Sequence, residues 1–292
     1  MAVSSLSIPS DLNPGPSLSE RYRSVRAFTE RLCDPLETED FVVSSMPDVS
    51  PTKWHLAHTS WFFETFVLTQ RVPGYEPLNP RYAYLFNSYY VQAGERHCRA
   101  QRGLVTRPTV EQVFEYRRHV DEHMLELLAS VDEDYPVTLG LNHEQQHQEL
   151  LVTDIKHVLW TNPLRPPYNA RRAEFSEADR SADEFVEIPA GVHRIGDETS
   201  DFVFDNERPA HRVFVEQFRI GADLVTNRDY LAFIEDGGYR RPELWLAAGW
   251  AVVQGESRRS PMYWEKADND WQEFTFGGMT PLNPDSPVCH VS

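Results

Sequence analysis

The sequence predicts two domains in series, a four-helix bundle followed by an irregular α+β domain. The chain has 292 residues, and a domain usually has about 100–200. Apolar residues recur at helical spacing up to about residue 160, whereas short alternating segments separated by Gly and Pro follow from about residue 184. We therefore divide the chain into a flexible lead-in (1–17), the bundle (18–160), a linker (161–183) and the second domain (184–292).

Four segments carry the signals of the bundle helices. Ser50 and Pro51 suit the start of the second helix, because Ser can cap free N–H groups and Pro fits the first helical position. Thr109 and Gln112 form the pattern of a capping box at the start of the third. The long connection between these two helices is typical of some antiparallel bundles. The predicted helices are Ser19 to Leu32, Ser50 to about Thr69, Thr109 to about Leu127, and a fourth that follows Pro136 and extends to about Leu159.

Short alternating segments predict strands in the second domain. The chain stops at Pro287 to Ser292, which has the pattern of an entry into a further apolar strand. We therefore expect this domain to be incomplete, so that the chain either exposes apolar surface or retains its remainder as a separate, bound chain. The predicted strands are Phe185 to Ile188, His193 to Ile195 and Arg212 to Glu216.

Charge and cysteine content exclude several classes of protein. Lys and Arg total 28 against 45 for Asp and Glu, a net charge of −17, and so acidic a surface repels nucleic acids and anionic membranes. The longest apolar stretch, Leu244 to Val253, is about half of the roughly 20 residues that a membrane-spanning helix needs. No signal-peptide pattern opens the sequence, so we expect a cytoplasmic protein. Cys33, Cys98 and Cys289 lie too far apart to indicate a disulfide framework or a thiolate zinc site.

The strongest local signal is the pair His143 and His147, whose i,i+4 spacing presents two imidazoles on one helical face to a metal ion. The segment resembles the H-E-x-x-H motif, in which Glu144 would be the general base of a zinc protease. The alternative is a polar helix face without a metal. The spacing favours a metal.

A third ligand is available on the second predicted helix, where both His55 and His58 face roughly the same side. Spacing alone does not choose between them. A rival pair, His119 and His123, has i,i+4 spacing too, but its surroundings look like a solvated face: Arg117, Arg118, Asp121 and Glu122. Three neutral imidazoles favour zinc by ligand type, whereas redox iron sites more often include a carboxylate.

The loop between the second and third helices offers a second set of chemical groups. Tyr89 and Tyr90 can donate protons or orient a ligand, and Arg96, Arg99 or Arg102 can bind a carboxylate through a planar guanidinium. The alternative is that the tyrosines only pack and the arginines only offset local acidic residues. Of these arginines, we take Arg96 and Arg99 as the candidates for binding a substrate carboxylate.

Several motifs in order resemble one known family, the ergothioneine-biosynthesis sulfoxide synthases. The motifs are Leu56-Ala-His58, Trp61-Phe-Phe-Glu64, Leu85 to Tyr90, Gly94 to His97, Gln101 to Gly103, His143 to Glu149, Phe185 to Gly191, Phe204 to His211, Val225 to Asn227, Gly237 to Tyr239 and Pro287 to Ser292. The resemblance implies a DinB-like four-helix domain followed by a domain of the formylglycine-generating-enzyme type, a variant of the C-type-lectin fold. It covers nearly the whole chain from about Leu18.

The resemblance also implies a function and site residues. Family members are non-haem iron(II) enzymes that use O2 to join a thiol sulfur to the imidazole carbon of hercynine, with oxidation to a sulfoxide. Their iron ligands match His58, His143 and His147, and Gln146 matches a contact to the hercynine imidazole. The pair at Tyr89 and Tyr90 matches the branch that uses free cysteine. Small-molecule substrates are therefore the expected partners, rather than nucleic acid or membrane.

Two other functions remain open at this point. A DinB-type zinc enzyme for thiol transfer or hydrolysis would share the three histidines but would not need the second domain. A lectin-like binding protein without catalysis would use the histidines only for structure. Under the iron interpretation, we expect the second domain to cover the open side of the metal.

Overall fold

The computed structural model describes residues 15–90, 92, 94–169, 185–199, 202–268 and 270–291. It forms two compact units, residues 1–158 and 159–292. Most of the predicted lead-in and of the predicted linker lies outside the described residues. The first unit is helical and the second contains small sheets, which confirms the predicted fold class.

Six α-helices are described up to residue 161. The four long ones correspond to the four predicted helices, and short helices follow the second. A capping box formed by Ser17 and Glu20 starts the first helix, and the predicted box of Thr109 and Gln112 starts the fifth. The helices are α1 (Leu18–Arg31), α2 (Thr52–Phe63), α3 (Thr69–Arg71), α4 (Tyr82–Leu85), α5 (Val110–Leu128) and α6 (Tyr135–Thr161).

The start of α2 differs from the prediction. Pro51 occupies the N-cap position, no side chain caps the helix, and Ser50 therefore does not act as a cap. Instead, the Ser50 hydroxyl accepts a hydrogen bond from Arg102, and its backbone N–H donates to Asp154. After Phe63 the chain continues through a π-helical turn, Glu64–Leu68, into α3, so the segment predicted as one helix is continuous but not uniform.

Helix α2 lies at the centre of the first unit, because every residue from Thr52 to Phe63 is buried. It packs against α5 and α6. Contact with α6 is close at Gly140, where an added Cβ would lie 2.5 Å from the Phe63 ring. A larger residue at Gly140 would push the two helices apart.

Beside α2 lies a fully buried ion cluster. Glu144 accepts hydrogen bonds from Arg26 at 2.9 Å, from Arg117 at 3.1 Å and from Thr29 at 2.6 Å. Arg26 also contacts Asp121 at 2.7 Å. The prediction that Arg117 belongs to a solvated face is therefore wrong: the exposed fraction of its side chain is 0%, since its cation is paired inside the protein. Arg118 and Glu122, by contrast, are exposed.

In the second unit, the described residues form three antiparallel sheets with the strand orders β1-β4, β2-β3 and β5-β6-β7. The three predicted strands correspond to β1, β2 and β3. Helix α7 (Asn227–Glu235) begins with a capping box of Thr226 and Asp229, and α8 spans Ala247–Gly255. The strands are β1 (Phe185–Ile188), β2 (Gly191–Ile195), β3 (His211–Val215), β4 (Phe218–Gly221), β5 (Trp264–Ala267), β6 (Asp270–Thr275) and β7 (Gly278–Pro281).

The first four strands carry exposed apolar side chains, among them Phe185, Val192, Phe214 and Ile220. The strand expected at Pro287 to Ser292 is not formed in the described residues. Pro287 makes an isolated antiparallel bridge to Thr226, and His290 has a φ of 59°, which is incompatible with an extended strand. In the described part of the chain, no helix is long and apolar enough to cross a membrane.

We expect Glu144→Gln to lower the free energy of unfolding by about 3 kcal/mol or more, because two buried guanidinium groups lose their shared carboxylate. Gln has nearly the same shape, so lost packing does not account for such a change. Urea unfolding measures it, with Glu149→Gln, an exposed position on the same helix, as the control. Equal stability of the two variants would contradict the role of the cluster.

Candidate metal centre

Three histidines from two helices converge in the first unit. His58 comes from α2, and His143 and His147 lie one turn apart on α6. One ring nitrogen from each lies within 4.8 Å of the others, close enough to hold one metal ion. The arrangement brings together the three residues that the resemblance implied as ligands.

Packing fixes the ring of His58. It lies between two indoles, nearly parallel to Trp54 at 4.5 Å and to Trp61 at 5.3 Å between ring centres. Its Nδ1 is 2.6 Å from the backbone oxygen of Phe86. A carbonyl can only accept, so Nδ1 carries the proton and the lone pair of Nε2 is available to a metal.

His143 and His147 differ in what surrounds them. The ring of His143 packs against Phe62 at 4.7 Å, and its buried Nδ1 has no hydrogen-bond partner among the described residues. His147 instead approaches a fourth histidine: its Nδ1 is 3.0 Å from Nδ1 of His55. The other ring nitrogen of His55 is 3.0 Å from Asp154.

Burial keeps the three imidazoles neutral. It lowers the pKa of His143 to about 4. Burial, reinforced by neighbouring histidines, holds the pKa of His58 and of His147 well below the usual value. Neutral imidazole is the form that binds a metal, so at pH 7 the site presents three ligands without competition from protons. The residues present therefore fit a divalent metal ion.

A cavity of about 460 Å³ opens beside the three histidines. It is large enough for small organic molecules. The loop residues and the glutamine singled out from the sequence that lie on its wall with them are Tyr89, Tyr90, Arg99, Arg102 and Gln146. Arg96 is not among the lining residues; its guanidinium donates a hydrogen bond to the backbone oxygen of Ser88 at 2.9 Å.

The two tyrosines occupy different environments. Tyr89 is 67% exposed, and its hydroxyl accepts a hydrogen bond from Arg99. Tyr90 is half-buried, with its ring centre 5.6 Å from that of Trp61 and 6.3 Å from that of His143. Burial raises the pKa of Tyr90, so its phenol keeps its proton at neutral pH.

Arg102 is the buried cation of the cavity. Its guanidinium carbon lies 3.4 Å from the ring centre of Trp54, and it donates hydrogen bonds to Ser50 at 2.9 Å and Ser88 at 3.1 Å. Its buried Nε has no partner among the described residues. Burial lowers the pKa of Arg102 to about 10, which leaves it charged at pH 7.

Glu144 does not face the metal site, although it follows His143 in the sequence. Its exposed fraction is 0%, and its carboxylate oxygens contact Arg26 and Arg117. These two cations lower its pKa to about 2. A general base must reach the substrate and accept its proton, so the zinc-protease interpretation of the H-E-x-x-H segment is wrong.

The rival pair lies elsewhere. His119 and His123 have ring centres 4.6 Å apart, and both pack against Tyr75. Among the described residues, no third ligand joins them.

Sequence patterns missed two groups near the site. Asp154 lies seven residues after His147, the spacing that places two side chains on one helical face, and it also lines the cavity. That spacing was the available signal. The sequence pattern offers His55 only as an alternative metal ligand, whereas both of its ring nitrogens lie within hydrogen-bond distance of neighbouring side chains.

Two family models match the chain in the same order as its two units. The DinB superfamily matches residues 21–158, and the sulfatase-modifying factor enzyme 1-like domain matches residues 171–292.

Several curated proteins are similar over most of the chain. It is 32% identical over 257 residues to a hercynine oxygenase of Mycolicibacterium thermoresistibile, which covers 84% of the chain and 54% of that protein. It is 30% identical over 274 residues to a hercynine oxygenase of Mycobacterium tuberculosis, covering 91% of the chain and 61% of that protein. Ergothioneine biosynthesis protein 1 of Neurospora crassa is 26% identical over 168 residues, 51% of the chain and 19% of that protein.

The fold and the matches define a class: a DinB-type helical domain with three converging imidazoles, followed by a sheet-containing domain of the sulfatase-modifying-factor type. Within that class, the chain is similar to the hercynine oxygenases, with 30–32% identity over 84–91% of its own length. It spans 54–61% of the length of the hercynine oxygenases that it matches.

We expect the metal-free protein to lose stability as the pH falls from about 6.5 towards 4. The pKa of His143 is about 4 in the folded chain but about 6.5 when unfolded, so the unfolded chain binds more protons in this range. Each histidine with such a lowered pKa makes the free energy of unfolding fall by up to about 1.4 kcal/mol for each unit by which the pH is lowered in this range. Above about pH 6.5, the full contribution of neutral His143 to the free energy of unfolding is present.

Urea unfolding at pH 7 and pH 5 in the presence of a chelator measures that slope. His143→Gln should reduce it, whereas His97→Gln, at a half-exposed position on the loop, should not. A slope that is the same in all three proteins would show that His143 is not held neutral by burial.

Proposed function

We propose that the chain binds iron(II) through His58, His143 and His147 and acts in the O2-dependent joining of the cysteine sulfur to the imidazole carbon of hercynine, with oxidation of the sulfur to a sulfoxide. The observation that carries the proposal is the convergence of three neutral imidazoles on one side of a cavity. The similarity to proteins named hercynine oxygenases supports the reaction class. The substrates and the activity of the whole protein are part of the proposal.

The choice of iron follows from the reaction class. Three imidazoles suit zinc as well as iron, but zinc has no redox chemistry. The relatives are named oxygenases, and a metal that transfers electrons to O2 must be redox-active. When bound, iron(II) would supply open positions for a thiolate and O2 and would pass to O2 the electrons that are removed from the thiol and hercynine.

Cationic side chains of the cavity suit the carboxylate of the thiol substrate. Arg99 and Arg102 both line the cavity, and Arg102 has an unpartnered Nε among the described residues. A buried guanidinium binds a carboxylate strongly, because little water competes. We therefore prefer Arg99 and Arg102 to the original pair of Arg96 and Arg99.

A phenol at the cavity wall suits a proton donor. Tyr90 retains its proton and lies nearer the histidines, whereas the Tyr89 hydroxyl is bonded to Arg99. We assign proton donation to Tyr90 and positioning of Arg99 to Tyr89. Gln146 lies one residue before His147 on the cavity wall, and its amide can donate to or accept from the imidazole of hercynine.

Mass spectrometry of the products tests the function. The protein is supplied with iron(II), O2, hercynine and either cysteine or γ-glutamylcysteine. We expect the cysteine conjugate of hercynine carrying one sulfoxide oxygen, and none with His143→Ala. His123→Ala is the matched control, because His123 lies on α5 outside the cluster. Hydrolysis or thiol transfer with zinc, and no O2 uptake, would instead support the zinc enzyme.

The same assay separates the two tyrosines. Tyr90→Phe should raise the share of cysteine oxidised to the sulfinic acid, because the proton needed for coupling is missing. Tyr89→Phe should raise the KM for cysteine with a smaller change in product ratio, because Arg99 loses its partner. Unchanged product ratios and KM in both variants would remove the tyrosines from the mechanism, and a strong preference for γ-glutamylcysteine would change the assigned thiol.

A further inference from the structure

We propose that Asp154 and His55 form a hydrogen-bonded chain that sets the tautomer and ring orientation of His147, so that His147 offers Nε2 to the metal. The inference rests on the proposed metal site and adds two positioning residues to it. Neither residue would contact the metal.

The backbone places the three groups in line. Asp154 and His147 lie seven residues apart on α6, which puts them on the same face two turns from each other. His55 enters between them from α2, three residues before the candidate ligand His58. Its Nδ1 is 3.0 Å from Nδ1 of His147, and its Nε2 is 3.0 Å from Oδ2 of Asp154.

Only one arrangement of protons satisfies this chain and leaves His147 free to bind a metal. A carboxylate can only accept, so His55 donates from Nε2 to Asp154. Neutral His55 then has a lone pair on Nδ1, which must accept from Nδ1–H of His147. The lone pair of His147 is consequently on Nε2, which has no hydrogen-bond partner among the described residues.

The opposite arrangement would block ligation. If His55 carried a proton on Nδ1, it would donate a hydrogen bond to Nδ1 of His147. Nδ1 of His147 would then need its lone pair for this bond, and the proton of neutral His147 would lie on Nε2. A protonated nitrogen does not bind a metal. Asp154 therefore controls the availability of a ligand two hydrogen bonds away.

Asp154 is itself held in place. Its Oδ2 also accepts the backbone N–H of Ser50 at 2.9 Å, just before the start of α2. The exposed fraction of the side chain is 16% for Asp154 and 3% for His55. Buried groups that are fixed at both ends lose little further freedom when the metal binds, which favours a single orientation.

The other two candidate ligands do not depend on an ionisable side chain in this way. His58 is fixed by the backbone oxygen of Phe86, and Nδ1 of His143 has no partner among the described residues. A substitution at Asp154 or His55 should therefore alter His147 selectively. That selectivity distinguishes positioning from a general structural role.

The first test uses the metal-free 292-residue chain labelled with 15N at histidine. NMR spectra that correlate ring nitrogens with ring protons assign the tautomers. We expect the proton on Nδ1 of His147 and on Nε2 of His55. In Asp154→Asn the side-chain amide can donate to Nε2 of His55, so the tautomers of His55 and His147 should reverse or mix while that of His58 is unchanged. Unaltered tautomers in this variant would overturn the proposal.

The second test measures binding of cobalt(II) by anaerobic titration. Loss of the hydrogen-bond partner of a metal-bound histidine lowers metal affinity about 10–100-fold. His55→Ala and Asp154→Asn should therefore each raise the Kd for cobalt(II) by that factor. The double variant should raise the Kd by no more than the larger single effect. Asp154→Glu should recover part of the affinity. His123→Ala is the control, since His123 lies on α5 and its Nδ1 bonds the backbone oxygen of His119 at 2.8 Å.

The outcomes separate the two proposals. If wild-type chain binds cobalt(II), loses it with His143→Ala and keeps the same Kd with His55→Ala, the metal site stands and the positioning role fails. If wild-type chain does not bind cobalt(II), the proposed metal site fails, and the tautomers of the metal-free chain still decide the arrangement at His147.

Discussion

The rotation of α6 about its axis is the constraint on which the site depends, and the buried ion cluster at Glu144 sets it. Glu144 is enclosed by Arg26 and Arg117, so this part of α6 has one favourable orientation. Successive helical residues are about 100° apart, and His143, next to Glu144, is thereby directed towards α2. His147 follows one turn later on the same face. An acidic residue that resembles a catalytic base in the sequence is in fact the anchor that orients its neighbours.

Helix α2 provides the complementary surface. It is buried on every side. It contributes the two indole rings that stack on His58, and it also contributes His55, which contacts His147. Burial lowers the pKa values of His58 and His147, because removal from water disfavours the charged form. The same burial that keeps the imidazoles neutral, and so able to bind a metal, lowers the free energy of unfolding of the metal-free protein at low pH. Stability and metal binding are therefore linked through the same side chains.

The sequence predicted the long helices and the spacing of the histidines because both depend on local periodicity and capping. Thr109 is a clear example, since its capping box involves residues only three apart. The resemblance, rather than spacing, chose His58 over His55. Arg117 was placed on a surface because its neighbours in the sequence are charged, yet its partner Glu144 comes from another helix. The prediction that Ser50 caps α2 is wrong for a similar reason: its hydroxyl accepts a hydrogen bond from Arg102, which is distant in the sequence. Contacts between distant segments decided the points that local patterns could not.

The measurement that tests the central claim most directly is X-ray absorption spectroscopy of the chain loaded anaerobically with iron(II). The account predicts three imidazole nitrogens at roughly 2.0–2.2 Å, with the histidine signal reduced in His58→Ala, His143→Ala and His147→Ala alike. A spectrum dominated by sulfur or by carboxylate oxygen, or a histidine signal that is lost only when His119 and His123 are replaced, would contradict it.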